Sequence, residues 1–342
     1  MKKVISLILS LVMVASLFAG CGASETAETT VASVTPTAAT AAAESEKTVK
    51  VAIVQQLDHA SLDEIRTAVA AQLNALAAEN GITIEIEEFN GQNDTTMLNQ
   101  IGAQVVADGV DLIIPIATLA AQSMVTAAEG TDIPIVYAAI SDPVSAGLTD
   151  LPTVTGVSDA LNTKFILDMM LAAQPDIKTV GLLYSNSEVN SATPIAEAKA
   201  YLEEKGIEYL EKTGNTSGEI VEAAASMVGR VDAVFTPTDN TVMAAEAAVA
   251  ELFNAAGIAH YTGADSFVTS GAFTTCGVNY TELGTKAADI AYDILQGGEI
   301  GDFVVMDGGI ITVNTETAAA IGVDYSVFST MANTVVEVTT AE

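Results

Sequence analysis

Basic side chains are scarce in this chain. Its 342 residues hold 12 Lys and Arg against 44 Asp and Glu, for a formal net charge of −32. The only arginines are Arg66 and Arg230. Nucleic-acid binding rests on clustered Lys and Arg facing phosphates, so that class of partner is excluded. Cysteine is limited to Cys21 and Cys276, and histidine to His59 and His260, which lie far apart in sequence. There is no Cys/His cluster of zinc spacing, and no cofactor is expected. A G-x-S-x-G elbow is missing, and so is a Ser/His/Asp set at suitable strand ends. Both absences argue against a hydrolase.

What is present is apolar. Hydrophobic residues make up 50% of the chain and charged residues 16%. That composition suits a globular protein with a large core, and the length suffices for two domains. The N-terminus carries a processing signal over residues 1–20. Lys2 and Lys3 precede an apolar run from Val4 to Phe18, which is short for a membrane span. It ends in "LFAGC", where small Ala19 and Gly20 precede Cys21. This resembles the bacterial lipobox, in which the cysteine is lipidated and begins the mature chain. Losing Lys2 and Lys3 takes the formal charge from −32 to −34. A lipid anchor gains about 0.8 kcal/mol per buried CH₂, so acyl chains in pairs hold a protein to a bilayer. Residues 21–47, rich in Ala, Thr, Ser and Glu, cannot bury enough surface to offset chain entropy and are expected as a flexible tether. With Cys21 taken by lipid, Cys276 has no disulfide partner and reads as a small buried hydrophobe.

From residue 48 the chain alternates strand and helix. "TVKVAIVQQ", "ITIEIEEF", "VDLIIPIA" and "IPIVYAAI" read as strands, and the amphipathic stretches between them as helices. Continuously apolar strands alternating with helices indicate a parallel sheet covered on both faces. The pattern then recurs in "KTVGLLYSN", "IEYLEKTG", "RVDAVFTPT" and "IAHYTGAD". Gly81 maps to Gly206, Asp111 to Asp232 and Asp142 to Asp265, at offsets of 125, 121 and 123 residues. Two similar α/β lobes follow from this. The first takes residues 48–158 plus 280–306, and the second 159–277 plus 309–332. Crossings lie near 157–163, 277–281 and 306–311, and 333–342 is left as a C-terminal tail. Ligands of open α/β sheets bind beyond the C-terminal strand ends. There the polar loops "QQLDH" and "YSNSEVNS", "ATLAAQ" and "TPTDNT", and "AISDPVSAG" and "GADSFVTSG" pair up across one expected cleft.

The segments "AIVQQLDHASLDEIR", "ATLAAQS", "IPIVYAAISDPVSAGL", "VTGVSDA", "LLYSNSEVNS", "VFTPTDNTV" and "GVNYTELG" carry a family resemblance. Together with the lipobox and tether, they resemble the substrate-binding lipoproteins of ABC transporters, in the branch described as tryptophan- or tyrosine-binding. The resemblance implies a type I periplasmic-binding-protein fold: two parallel-sheet α/β lobes joined by a three-stranded hinge, with the ligand cleft between them. It implies an extracytoplasmic, lipid-anchored monomer that is not an enzyme. Such a protein closes its lobes on a small solute, an aromatic amino acid foremost, and hands it to an ABC permease. A non-transporting sensor of the same fold, or a binder of a branched amino acid, sugar or nucleoside, are the alternatives. The absence of Trp weighs against a sugar, since sugar-binding members of this fold stack sugars on aromatics.

An amino-acid ligand sets the site expectations. Its carboxylate needs donors, and Thr118 before a helix, with Ser185, Asn186 and Ser187 on the other lobe, suits that need. The same residue types serve as helix N-caps. Its ammonium needs a carboxylate, and Asp142, Asp239 and Asp265 stand at strand ends, with Asp239 placed first among them. Gln55, Ser141, Asn190, Thr238 and Asn240 are candidate orienting groups. Tyr184, Tyr137 and Phe267 are candidate walls for an apolar slot. His59 reads as a cap of the helix that follows it. Asn93 and Asp94 read as a helix start.

Overall fold

The computed structural model of the chain describes residues 48–341. The signal sequence 1–20, Cys21 and the tether 21–47 lie outside the described residues. Strand and helix alternate through β1 (Thr48–Gln55), α1 (Ala60–Asn80), β2 (Thr83–Asn90), α2 (Thr95–Ala107), β3 (Leu112–Ile116), α3 (Thr118–Ala127), β4 (Ile135–Ala138) and β5 (Val154–Ser158). A second series runs α4 (Thr163–Ala173), β6 (Thr179–Tyr184), α5 (Val189–Lys205), β7 (Glu208–Thr213), α6 (Ser217–Ala225) and β8 (Ala233–Thr236). It continues through α7 (Asn240–Met243), α8 (Glu246–Ala255), β9 (Ala259–Thr262), α9 (Asp265–Thr269) and β10 (Thr274–Gly277). The last part holds α10 (Tyr280–Leu295), β11 (Val304–Val305), β12 (Ile310–Asn314), α11 (Thr315–Ile321), a 3₁₀ turn (Ser326–Thr330) and β13 (Thr334–Val338).

The strands form a six-stranded sheet, β11-β5-β4-β3-β1-β2, and a seven-stranded sheet, β13-β12-β10-β9-β8-β6-β7. Pairing is parallel except between β10 and β12. Each sheet contains the same doubly wound order: β2-β1-β3-β4-β5 in the first lobe and β7-β6-β8-β9-β10 in the second. The chain passes between sheets after β5, after β10 and between β11 and β12. β1 explains the two-sided burial. Val51 and Ile53 join one core with α1, while Ala52 and Val54 join another with α2 and α3. Side chains on such a strand alternate between faces, and both faces here are covered.

The mapped residue pairs do equivalent work. Gly81 and Gly206 both take the left-handed conformation that ends a helix, at φ 65° and 68°. The Asp111 carboxylate accepts from the Lys50 amide at 2.7 Å, and Asp232 accepts from the Lys178 and Thr179 amides at 2.8 and 2.9 Å. In each lobe this aspartate ties the start of the central strand to its neighbour. α10 returns to the first lobe and packs on α1, where a Cβ on Gly284 would stand 2.7 Å from the Ile65 carbonyl oxygen.

Two segments differ from the sequence reading. α4, which the sequence pattern does not mark, is a helix whose Ile166, Leu167, Met169 and Met170 are buried. Apolar side chains so nearly continuous hide a helical period. The segment 333–342, expected as a tail, carries β13. The run "TVVEV" has strand propensity and pairs in parallel with β12 from Ile310↔Thr334 to Asn314↔Val338.

Candidate functional site

The C-terminal strand ends of the two sheets face each other across a narrow cavity of about 30 Å³. That volume holds about two waters, so the lobes are closed. Side-chain hydrogen bonds cross the seam. The Ser141 and Thr238 hydroxyls meet at 2.8 Å, Thr193 donates to Asp142 at 2.6 Å, and Ser61 donates to Asp265 at 3.2 Å. Gln56 Nε2 donates to Glu188 Oε1 at 3.2 Å, and His59 Nε2 stands 3.2 Å from Asn240 Oδ1. Each such bond contributes about 1 kcal/mol net.

Of the sequence candidates, Thr118, Ser141, Asn190, Thr238, Asp239 and Asn240 line the cavity. Thr118 opens α3, whose first-turn amides have no intrahelical acceptor. Gln55, Asp142, Tyr184, Ser185, Asn186, Ser187 and Asp265 stand outside its lining. Gln55 is buried, but its amide is used beside α1: it donates to Leu57 O at 2.6 Å and Asp63 at 2.8 Å, and accepts from Arg66 at 3.1 Å. Tyr184 donates to Glu211 at the edge formed with β7. Ser185 and Ser187 bond each other at 2.7 Å, and Asn186 donates to Thr213 at 3.0 Å. Asp142 and Asp265 act at the seam, as the bonds above show.

Asp239 is buried with its oxygens already engaged. Oδ2 accepts from the Ser185 amide and the Ser191 hydroxyl, each at 2.7 Å, and Oδ1 accepts from the Val242 amide at 2.9 Å. It holds the β8–α7 loop against α5. The sequence places Asp239 first among the ammonium partners, but Asp159, which it does not single out, is the more open of the two. Asp159 lies just past β5 in the first crossover, is 6% exposed, and lines the cavity. Ser141 donates to it at 3.0 Å and Tyr280 at 3.4 Å, so each oxygen keeps a lone pair. Burial pushes its carboxyl above the usual range, against the pull of these hydroxyls. It lies in "VTGVSDA", whose strand β5 the sequence pattern does not mark, so no strand end points to it.

Three buried polar atoms at the cavity have no hydrogen-bond partner among the described residues: His59 Nδ1, Asn190 Oδ1 and Ser266 Oγ. Asn190 Nδ2 donates to the Thr238 carbonyl at 2.6 Å, which fixes Oδ1 as the free end and makes it an acceptor. His59 occupies the cap position of α1, yet its side chain makes no capping bond. It turns to Asn240 instead, and burial lowers its pKa, leaving a neutral ring. An unpaired buried polar atom costs about 1–3 kcal/mol, so three around one cavity mark a place built for polar contact. Ala117 and Ala139, also in the lining, have φ of 73° and 59°. Alanine in the left-handed region is strained, and such strain gathers at binding sites. Leu62, Met243, Ala264, Phe267 and Tyr280 supply the apolar wall. Tyr137 is buried away from the cavity.

A hydroxyl–imidazole–carboxylate row also exists. His260 stands 2.8 Å from Thr236 Oγ1 and 3.1 Å from Glu246 Oε1, but all three are 0% exposed, so no substrate reaches them. Behind the hinge lies a wider groove of about 670 Å³ that shares Asp159 and Tyr280 with the cleft. Of these two spaces, the smaller cavity has unpartnered buried polar atoms in its lining residues and the groove has none, and we take the cavity as the site.

Relatives agree with this architecture. The tyrosine-binding protein of Clostridioides difficile (strain R20291) is 32% identical over 327 residues, covering 94% of this chain and 92% of its own. The structure of an ABC domain in complex with L-Trp from Streptococcus pneumonia is 29% identical and superposes with a TM-score of 0.78, covering 85% of this chain and all of that one. A ligand-free, open structure of a Clostridium difficile substrate-binding protein is 31% identical, with a TM-score of 0.65 over 86% of this chain and all of that one. The more identical pair superposes less well, as expected when the lobes of one partner have rotated apart. The fold is that of type I periplasmic-binding proteins. The family model described as ABC transporter substrate binding protein matches residues 50–335, and the chain belongs to that family.

Proposed function

We propose that this chain captures an α-amino acid with an aromatic side chain between its lobes and delivers it to an ABC permease. The observation that carries the reading is the set of unpartnered buried atoms around one closed cavity. Asn190 Oδ1 and the Asp159 carboxylate accept from the ammonium. The Ser266 hydroxyl and the start of α3 at Thr118 serve the carboxylate, a role that helix N-termini fill without a basic side chain. Phe267, Tyr280, Leu62 and Met243 enclose the ring. The cavity of about 30 Å³ is far below the ~300–1,000 Å³ of ordinary ligand pockets, so the solute enters when the lobes part and is enclosed as they close. A relative named for tyrosine binding and a structural neighbour solved with L-Trp support the aromatic class. Lipidation at Cys21 would keep the protein on the outer face of the cell membrane as a tethered monomer.

Calorimetric titration tests this reading with L-tyrosine, L-tryptophan and L-phenylalanine. Their deaminated analogues and a panel of sugars serve as controls. Binding of at least one aromatic amino acid, with loss of affinity on removing the amine, is expected. If none of the three binds while a sugar or nucleoside does, the reading is wrong.

A further inference from the structure

A continuous hydrogen-bond relay runs from the first lobe through the second and back. It begins at a fixed donor, the Leu119 backbone amide in α3, which donates to Gln56 Oε1 at 3.0 Å. That bond orients the Gln56 amide, so its Nε2 must donate onward, to Asn93 Oδ1 at 2.8 Å and Glu188 Oε1 at 3.2 Å. Glu188 Oε2 accepts from Asn240 Nδ2 at 2.9 Å. Asn240 therefore turns Oδ1 toward His59 Nε2. An amide oxygen only accepts, so the imidazole proton sits on Nε2, and Nδ1 of this cavity-lining residue is left a buried, unpartnered acceptor.

We propose that Glu188 is a positioning residue for ligand recognition. By accepting on both sides, from Gln56 and from Asn240, it holds His59 as the Nε2–H tautomer and presents an acceptor to the ligand. The proposal rests on the reading of the cleft as the solute site. A carboxylate is required because it can accept at both oxygens. Glutamine at 188 could accept at one end only. The Leu119 amide locks Gln56, so the new carbonyl would have to face Gln56 and the new NH₂ would face Asn240. Asn240 would then flip and point its NH₂ at His59 Nε2. The proton would move to Nδ1, and a donor would replace an acceptor in the cleft. A ligand N–H there would lose its partner and meet a second donor.

The chain has only two histidines, so ¹⁵N-histidine labelling gives an uncrowded spectrum. The closed state can be held without ligand. The Ser145 and Thr193 hydroxyls stand 3.4 Å apart across the seam, outside the cavity lining, and S145C/T193C in a C21S full-length background would link the lobes. Two-bond ¹H–¹⁵N correlation at pH 8 is expected to show His59 protonated on Nε2 in this protein and on Nδ1 after Glu188→Gln. Should E188Q not fold, lowering the pH of the parent protein through about 7 tests the same point, since Glu188 is pushed up to about 7 there. Protonated Glu188 still faces the Gln56 donor with one oxygen, so its proton goes to Asn240 and the same switch follows. Asp239 is the ionisable neighbour of Glu188, and Asp58 and Asp63 are those of His59. Burial lowers the pKa of His59, the direction that favours a neutral ring while Glu188 titrates. In the unlinked protein E188Q is expected to weaken aromatic amino-acid binding roughly tenfold, the effect of one lost hydrogen bond. An Nδ1–H tautomer in the parent at pH 8 would overturn the proposal. So would an unchanged tautomer in E188Q, or an unchanged tautomer in the parent below pH 7. If the tautomers behave as expected but no amino acid binds, the functional reading fails and the role of Glu188 in setting the tautomer stands.

Discussion

Raising the pH should weaken this fold through Glu188. The carboxyl is buried at the start of α5, in the field of the Asp239 carboxylate, and its hydrogen bonds from Asn240 and Thr241 do not offset its burial. Its pKa rises from 4.5 to about 7. A group that binds its proton more tightly folded than unfolded adds stability below the unfolded pKa. That stability is lost as the pH climbs through the folded value. At about 1.4 kcal/mol per tenfold change in proton binding, the loss between pH 4.5 and 8 is on the order of 3 kcal/mol. The assay is urea unfolding of the parent and of E188Q across that range, because the variant carries no titrating group at the position. The difference, parent minus variant, should fall by about that amount, and most steeply between pH 5 and 7. A difference that stays flat, or grows with pH, would refute the burial argument. The paired carboxyls Asp142 and Glu211, held below their ordinary values, have the opposite slope and cancel in the difference.

Ser266→Ala removes a hydroxyl with no protein partner, so the melting temperature should barely move while amino-acid affinity falls about tenfold. A lower melting temperature with unchanged affinity would assign Ser266 to the fold. Asp159→Asn retains the acceptor for Ser141 but loses the charge. It should weaken amino acids by about 1.5–3 kcal/mol and leave their deaminated analogues unaffected, and equal losses for both would remove Asp159 from the ammonium site. Gly263→Ala places a Cβ 2.5 Å from the Thr238 amide nitrogen and 2.7 Å from the Pro237 carbonyl carbon, so the loops of the second lobe must separate. Calorimetry should show weaker binding even though no polar group is deleted, and parent-like affinity would mean the loops absorb the contact.

The architecture was legible because it is written twice. Apolar strands of the right length, Gly81 and Gly206 at left-handed helix ends, and Asp111 and Asp232 at strand starts recur at similar spacing. The site was legible only by region. Polar residues at strand ends are numerous, and sequence cannot say which side chain bends into the cleft and which turns along the seam. Asp142 and Asp239 illustrate this: both follow strands, yet Asp142 bonds Thr193 across the seam and Asp239 is absorbed into its own loop. Asp159, Ser266 and Glu188 were missed because their surroundings come from other elements. Glu188 has Gln56 of the first lobe beside it, 132 residues away.

The shortage of basic residues and the surplus of buried acids meet at the cleft. Among the described residues, Arg66 and Lys199 are the basic groups in ion pairs, and neither lines the cavity. Asp159, Glu188, Asp239 and Asp265 instead share the closed seam, each pushed above its ordinary pKa chiefly by burial. A fold selected for stability alone would pair or replace such groups, since buried unpaired charge is costly. Ala117 and Ala139 add strained backbone at the same place. These features weaken the empty closed form. An amino acid of the proposed class would set its ammonium against Asp159 and fill the unpartnered Asn190 acceptor at once. Differential stabilisation of that kind lets a ligand shift an equilibrium from parted to closed lobes.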